Sequence, residues 1–374
     1  MIEPIRELYD KAKQAQKMLN VETWLLRGHE RTSHEPFCIA FSGSEAIKEY
    51  QKRISFDGPV EEQFLGPRFL PMLHAVPRFP DCALMVTELN QANAATARLI
   101  NYQLQSPVWM PINLKLGATV QASLSHAQYS MISRKIRSQR LAFEIAIDDA
   151  SFDDFYHRMY APYVRARHGS TVVLSDYEGL KSRLKHSEIV FVTHEGKRLG
   201  GYLVDFGHEA PRMLELGVLD GHQLYMKMGV PGAAYYFSFQ RMIEKGRSTA
   251  MLGTSRGYLK DGPLSYKLSL GAHFGDRHYE KTGFLYFRFM TRTRALENFL
   301  IENPMLTVAS EGHYAATFFA RSESAISEDT RAAIAGYGEK NVAPRVYLLD
   351  EPDDHDVPRT GDGIAFASAA RVFC

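Results

Sequence analysis

The sequence predicts an α/β protein of mixed sheets flanked by helices. Three observations predict it. From residue 152 to 291 the patterns read helix, three strands, helix, strand, helix, strand. Two of those strands are joined by Glu195-Gly196-Lys197-Arg198, which reads as a hairpin. Residues 22–90 carry a second mixture of strand-like and helical runs, and a chain of 374 residues is long enough for two or three domains.

In chain order, residues 3–19 read as an amphipathic helix. Strand-like runs follow at Glu22–Leu26, Phe37–Phe41, Gln63–Leu65 and Ala83–Glu88, with helical patterns at Ser44–Ile54 and Leu89–Ile100. Trp24 and Trp109 read as packing residues. The run from 131 to 140 carries Arg134, Lys135, Arg137 and Arg140 and no acid, which suits either a solvated helix face or a patch for a polyanion. Leu141, Phe143, Ile145 and Ile147 then alternate as a half-buried strand, and the domain junction falls between 110 and 140.

Phe152, Phe155, Tyr156, Met159, Tyr160 and Tyr163 recur at helical spacing as an aromatic core face. Tyr160 and Arg165, near its end, are candidates to line a substrate cleft. Strands follow at Glu188–His194, Gly200–Phe206 and Arg212–Leu219. Gly229 and Gly232 flank Pro231, which suits a first helical position, and Gly246 suits the residue past the helix end. A glycine turn leading into a helix leaves backbone N–H groups at the positive end of the helix dipole, a place for phosphate or simply a tight turn. A strand at Thr249–Leu252, a polar loop at Gly253–Gly262, a short helix from Pro263 to Gly271 and a strand at Thr282–Thr291 complete this region. Beyond 300, Tyr314–Phe319 and Arg345–Leu349 are strand-like, Ser322–Glu339 is a polar helix, and Asp350–Asp362 is an acidic loop.

Composition narrows the class. Hydrophobic content of 45% and charged content of 23% are those of a soluble globular protein. The net charge of +1 provides no global field for nucleic acid or an anionic membrane. No run of 18 apolar residues exists, so no membrane span is expected. The charged, amphipathic N-terminus does not read as a signal peptide, and three scattered cysteines make a reducing cytoplasm the expected location. Cys38, Cys82 and Cys374 are widely separated and fit neither a metal spacing nor a disulfide framework, and no metal site is expected.

The element order and the turn Gly229-Val230-Pro231-Gly232-Ala233-Ala234 resemble the GNAT acyltransferases. The family signature is Gln/Arg-x-x-Gly-x-Gly/Ala, and its amides hold the pyrophosphate of acyl-coenzyme A. Gly229 stands where that signature has Gln or Arg, and Pro231 supplies no N–H. Leu252-Gly253-Thr254-Ser255-Arg256, Asp261-Gly262 and Lys267-Leu268-Ser269-Leu270-Gly271 resemble the FemAB-type branch, which carries a Lys-x-x-hydrophobic-Gly motif. The resemblance spans residues 130–300. It implies two GNAT-like lobes, each a mixed, mostly antiparallel sheet flanked by helices. These would be a degenerate lobe at 1–125 and a catalytic lobe at 126–300, with a partly flexible extension at 301–374 packed on the body.

The resemblance also implies an acyltransferase. Its donor would be an acyl thioester of coenzyme A or of acyl carrier protein, and its acceptor an amine or hydroxyl of a small molecule or saccharide. No cofactor would be tightly bound, and acyl-CoA or aminoacyl-tRNA would act as co-substrate. The alternatives are an aminoacyl-tRNA-dependent transferase of FemAB type and a non-catalytic GNAT-fold binding protein, in either case a monomer or homodimer. Gly229, Val230, Gly232, Ala233 and Ala234 would bind the donor. Acyl transfer needs a deprotonated nucleophile and a stabilised oxyanion. Lys267 would serve the oxyanion or an anionic substrate group, Glu215 would be the general base if it points into the cleft and otherwise a surface carboxylate on the strand's polar face, and Tyr266 would donate a proton. Asp261, with Ser255 and Arg256, would orient substrate, or Asp261 and Arg256 would form a structural pair.

Overall fold

The structure is a computed structural model that describes residues 20–69, 79, 81–89, 100–168, 174–275, 283–309, 313–351, 359–361 and 363–373. The expected helices at 3–19 and 89–100 and the acidic loop at 350–362 lie wholly or mostly outside these residues. The first strands in chain order are β1 (Asn20–Glu30), β2 (Pro36–Ser42), β3 (Phe56–Phe69), β4 (Leu84–Leu89), β5 (Leu104–Pro107) and β6 (Met110–Lys115). Next come β7 (Ala142–Ala146), β8 (Ser187–His194), β9 (Lys197–Asp205), β10 (Arg212–Val218), β11 (Thr249–Ser255) and β12 (His273–Phe274). The last six are β13 (Phe284–Phe289), β14 (Met305–Val308), β15 (Tyr314–Ala320), β16 (Ala343–Leu348), β17 (Arg359–Gly361) and β18 (Ile364–Ser368).

The chain divides into two compact units. Met1–Met110, Ser255–Leu264 and Asp276–Cys374 form the first, and Pro111–Thr254 with Ser265–Gly275 form the second. The first unit holds a six-stranded sheet in the order β3-β1-β2-β4-β13-β5 and a five-stranded sheet in the order β14-β15-β16-β18-β17. In the six-stranded sheet only β2 and β4 run parallel. Its core gathers Trp24, Ile39, Phe41, Phe287, Phe299 and Phe319. The helices Glu45–Ser55 and Arg294–Glu302 contribute Ile47, Tyr50, Leu296 and Phe299 to that core.

Parallel pairing of β2 with β4 also brings Cys38 and Cys82 together, with the Ala83 N–H on the Cys38 carbonyl. The two are joined as a disulfide across 44 residues. This corrects the expectation of no disulfide. Strand register aligns the two sulfurs, and sequence spacing carries no sign of it.

The second unit is a seven-stranded sheet in the order β12-β6-β11-β10-β9-β8-β7. β7 to β10 are antiparallel neighbours, and the turn at Glu195 and Gly196, both at positive φ, closes the expected hairpin between β8 and β9. β10 and β11 run parallel and pair at a single position, Arg212 with Met251, so the two strands diverge beyond it. The sheet is therefore mixed, and it splays open between β10 and β11. The helix Val230–Glu244 buries Val230, Ala233, Ala234, Tyr235, Phe237 and Phe239. Phe152, Phe155, Met159 and Tyr160 form a second packed layer with Phe191 and Leu203, as the aromatic periodicity predicts.

One expected strand pairs elsewhere. The strand anticipated at 282–291 forms as β13, but it lies between β4 and β5 in the first unit. In the second unit β6 and β12 extend the sheet beyond β11 instead, with Phe274 opposite Ile112. No helix among the described residues is long and apolar enough to cross a membrane.

Candidate functional site

The expected site residues fall into two groups, one in each unit. In the second unit the divergence of β10 from β11 sets the frame. The pairing of β10 with β9 slips between Met213 and Glu215, which leaves Leu214 as a bulged residue with no partner opposite. A bulge bends its strand and re-aims the next side chain. Here it turns Glu215 toward the helical layer, where Glu215 meets Ser175 and Tyr160. The Ser175 hydroxyl donates to Glu215 Oε1 at 2.5 Å, and the Tyr160 hydroxyl accepts the Ser175 N–H at 2.9 Å. Tyr160 closes a π-helical turn, Phe155–Tyr160, and is itself buried. An extra residue per turn of this kind often marks a functional position in a helix.

Burial raises the Glu215 carboxyl above its ordinary range, and hydrogen bonds from Ser175 and Tyr160 partly offset that shift. The same burial, with Glu215 close by, lifts the Tyr160 phenol. The result is a partly buried carboxylate held by two hydroxyl groups. Sequence reasoning picked out Glu215 and Tyr160 but missed Ser175, which lies 40 residues before Glu215 and carries no local signal.

Lys267 lies on the helix Gly262–Ser269 and is 8% exposed. Its amine donates to the Thr254 carbonyl on β11 at 2.9 Å. A side chain built on Gly253 would stand 3.9 Å from that amine and 3.6 Å from the Met213 carbonyl on β10. The amine therefore sits at the opening between the two strands. Tyr266 packs edge-on against Tyr235, ring centres 5.5 Å apart, and the Tyr235 and Tyr202 hydroxyls are 3.5 Å apart. Burial pushes Tyr235 up to about 12 and Tyr266 further still, so both phenols stay protonated at neutral pH. Arg165 is exposed on the helix Ala161–His168.

The glycine turn is more enclosed than a bare helix start. Gly229, at φ +91°, both ends the helix Gln223–Met228 and begins Val230–Glu244. Its N–H is taken by the Met226 carbonyl, and Pro231 has none to offer. A side chain on Gly229 would meet Lys135 Cβ at 3.1 Å, and one on Gly232 would meet Ile132 Cγ1 at 3.3 Å. Val230, Ala233 and Ala234 are fully buried. The two glycines therefore also allow the helix His126–Ser138 to approach closely, a role that sequence reasoning did not foresee. That helix presents Arg134 and Arg137 to solvent, and Arg140 is exposed just beyond its end.

Asp261 and Arg256 belong to the first unit. Asp261 accepts a hydrogen bond from the Tyr50 hydroxyl at 3.1 Å. Arg256 stacks on the rings of Tyr50 and Trp109 and makes no ion pair with Asp261. Ser255 is 2% exposed.

No protein-family model matches the sequence, and no curated protein matches it either. Similar solved structures include FemX, at 10% identity over 70% of this chain and 83% of that one, with a TM-score of 0.39. L-PGS from Bacillus licheniformis is 10% identical over 74% of this chain and 87% of that one, with a TM-score of 0.34. A GCN5-related N-acetyltransferase-like protein from Streptococcus suis is 9% identical over 71% of this chain and 83% of that one, with a TM-score of 0.29. The mixed strand order and the splayed pair of the second unit are the features that the resemblance in sequence leads one to expect.

Proposed function

We propose that the second unit is an acyltransferase whose donor lies in the opening between β10 and β11. One observation supports this most: a partly buried carboxylate, Glu215, follows a bulge on one diverging strand, while a buried amine, Lys267, sits against the other. Diverging parallel strands expose backbone N–H and C=O groups that an extended acyl-bearing arm can pair with. In the reaction, an acceptor amine or hydroxyl gives its proton to Glu215 and bonds to the acyl carbon. The carbonyl electrons move to oxygen, where the Lys267 charge faces them. Collapse of that intermediate expels the thiolate of the donor, which takes up a proton from solvent; the raised Tyr266 phenol stays protonated and serves the site as a hydrogen-bond donor. The preferred donor is a thioester of coenzyme A or acyl carrier protein.

A second reading has an aminoacyl-tRNA as donor. It is supported by Arg134, Arg137 and Arg140, exposed together, with the stem of Lys135 lying over Gly229. Thiol release from acyl-CoA with a panel of amine and alcohol acceptors tests the first reading. Binding of charged tRNA that falls steeply with salt and depends on those arginines would support the second.

A further inference from the structure

We propose that Arg256 is the receptor of a phosphate-binding site in the first unit, formed with Tyr50, Trp109 and Arg53. The Arg256 guanidinium carbon lies 4.0 Å from the centre of the Tyr50 ring and 4.7 Å from that of Trp109. Two aromatic faces thus fix the plane of its fork. Among the described residues no acceptor bonds to that fork. Arg256 Nε is enclosed without a hydrogen-bond partner, and among the described residues no carboxylate forms an ion pair with the group, the charge of Asp261 acting on it only from beyond contact distance. An arginine so placed stays charged, and burying an unpaired charge is costly unless a ligand supplies the counter-charge. The remainder of the side chain is partly exposed, so a ligand can reach it.

The mount is rigid. The Gly257 carbonyl accepts the Leu306 N–H at 2.7 Å, and the Leu259 N–H reaches the Pro304 carbonyl at 2.8 Å. A side chain on Gly257 would collide with Pro107 O and Ser106 Oγ, both at 2.7 Å. The Tyr258 hydroxyl donates to Gln51 Oε1 at 2.7 Å in the buried layer beneath. A planar fork held ready and left empty of acceptors suits an oxyanion that can accept two parallel hydrogen bonds.

Charge selects phosphate over carboxylate. Exposed Arg53 also lies over the Tyr50 ring, at 5.0 Å, and has no ion-pair partner among the described residues. Asp261, the nearby carboxylate, is engaged by the Tyr50 hydroxyl. Two guanidinium groups on one ring match the roughly two negative charges of a phosphate better than the single charge of a carboxylate. The inference does not depend on acyl transfer in the second unit.

Titration of the full chain with inorganic pyrophosphate at constant ionic strength, read by tryptophan fluorescence, tests this directly. Trp109 is one of two tryptophans and the one that touches the site. A saturable change is expected, weakened roughly 10- to 100-fold by Arg256→Gln and less by Arg53→Gln. No saturable change in the wild-type chain overturns the proposal, as does acetate binding as tightly as pyrophosphate. If Arg256→Gln does not fold, arginine-specific dicarbonyl labelling of the wild-type chain decides. Pyrophosphate protecting Arg256 supports the site, and an unprotected Arg256 overturns it.

Discussion

The Lys267 amine donates to the Thr254 carbonyl at 2.9 Å, which ties a helix to the strand β11 it packs beside. Helix periodicity places Lys267 at the edge of the apolar face marked by Leu264 and Leu268, and the structure takes it further in, to 8% exposure. Lys267→Met keeps most of the stem and removes the charge. It should lower kcat by about 10²–10³. It should also cost about 1–3 kcal/mol of stability, because the Thr254 carbonyl loses a donor. Single-turnover rates and thermal melts on one preparation check both. A destabilised variant with full turnover would make the lysine structural only.

Glu215→Gln separates catalysis from stability. A carboxyl raised by burial favours the folded state most when protonated, below its unfolded value of about 4.3. That advantage is lost as pH rises through the raised folded value. Glutamine is neutral throughout, so the variant should melt higher than wild type at neutral pH, with the gap closing in acid. Turnover should fall by about 10²–10⁴. The wild-type rate profile should show an acid limb above the ordinary glutamate range. Melts across pH with matched kinetics would show whether stability and rate part in this way.

The two glycines of the turn should respond differently. Gly229→Ala puts a side chain at φ +91° and 3.1 Å from Lys135 Cβ, and should cost about 1–2 kcal/mol. Gly232→Val presses on Ile132 and should cost about 1–3 kcal/mol through overpacking between two helices. If acyl-CoA binding survives Gly232→Val in the folded fraction by calorimetry, the turn is packing alone.

Tyr50→Phe tests the first unit. It removes the hydroxyl that donates to Asp261, which is 8% exposed, and leaves a buried carboxylate short of a donor. A loss of about 1–3 kcal/mol in chemical denaturation is expected. A variant as stable as wild type would mean that water replaces the phenol.

Local structure was largely legible in the sequence. The helix at Ser44–Ile54 forms over Glu45–Ser55, and the strand at Tyr314–Phe319 forms as β15. Periodicity and capping act over a few residues, so they can be read without the fold. What pairs with what was less legible. β13 was visible as a strand, yet its neighbours are β4 and β5, far back in the chain. The residues after 300 build a full five-stranded sheet, whose apolar faces are short and interrupted in sequence. Within the candidate site, Glu215 stood out as a charge in an apolar strand, whereas Ser175, Tyr202 and Tyr235 become relevant only through register and packing.

The central claim is that Glu215 deprotonates an acceptor while an acyl donor lies between β10 and β11. Its most direct measurement is acceptor-dependent thiol release from acyl-CoA or acyl carrier protein by the purified chain, run beside Glu215→Gln. The account predicts release in the wild type, a loss of about 10²–10⁴ in the variant, and equal donor binding by both. Undiminished release in the variant would contradict it, as would no transfer by the wild type from any thioester or from charged tRNA.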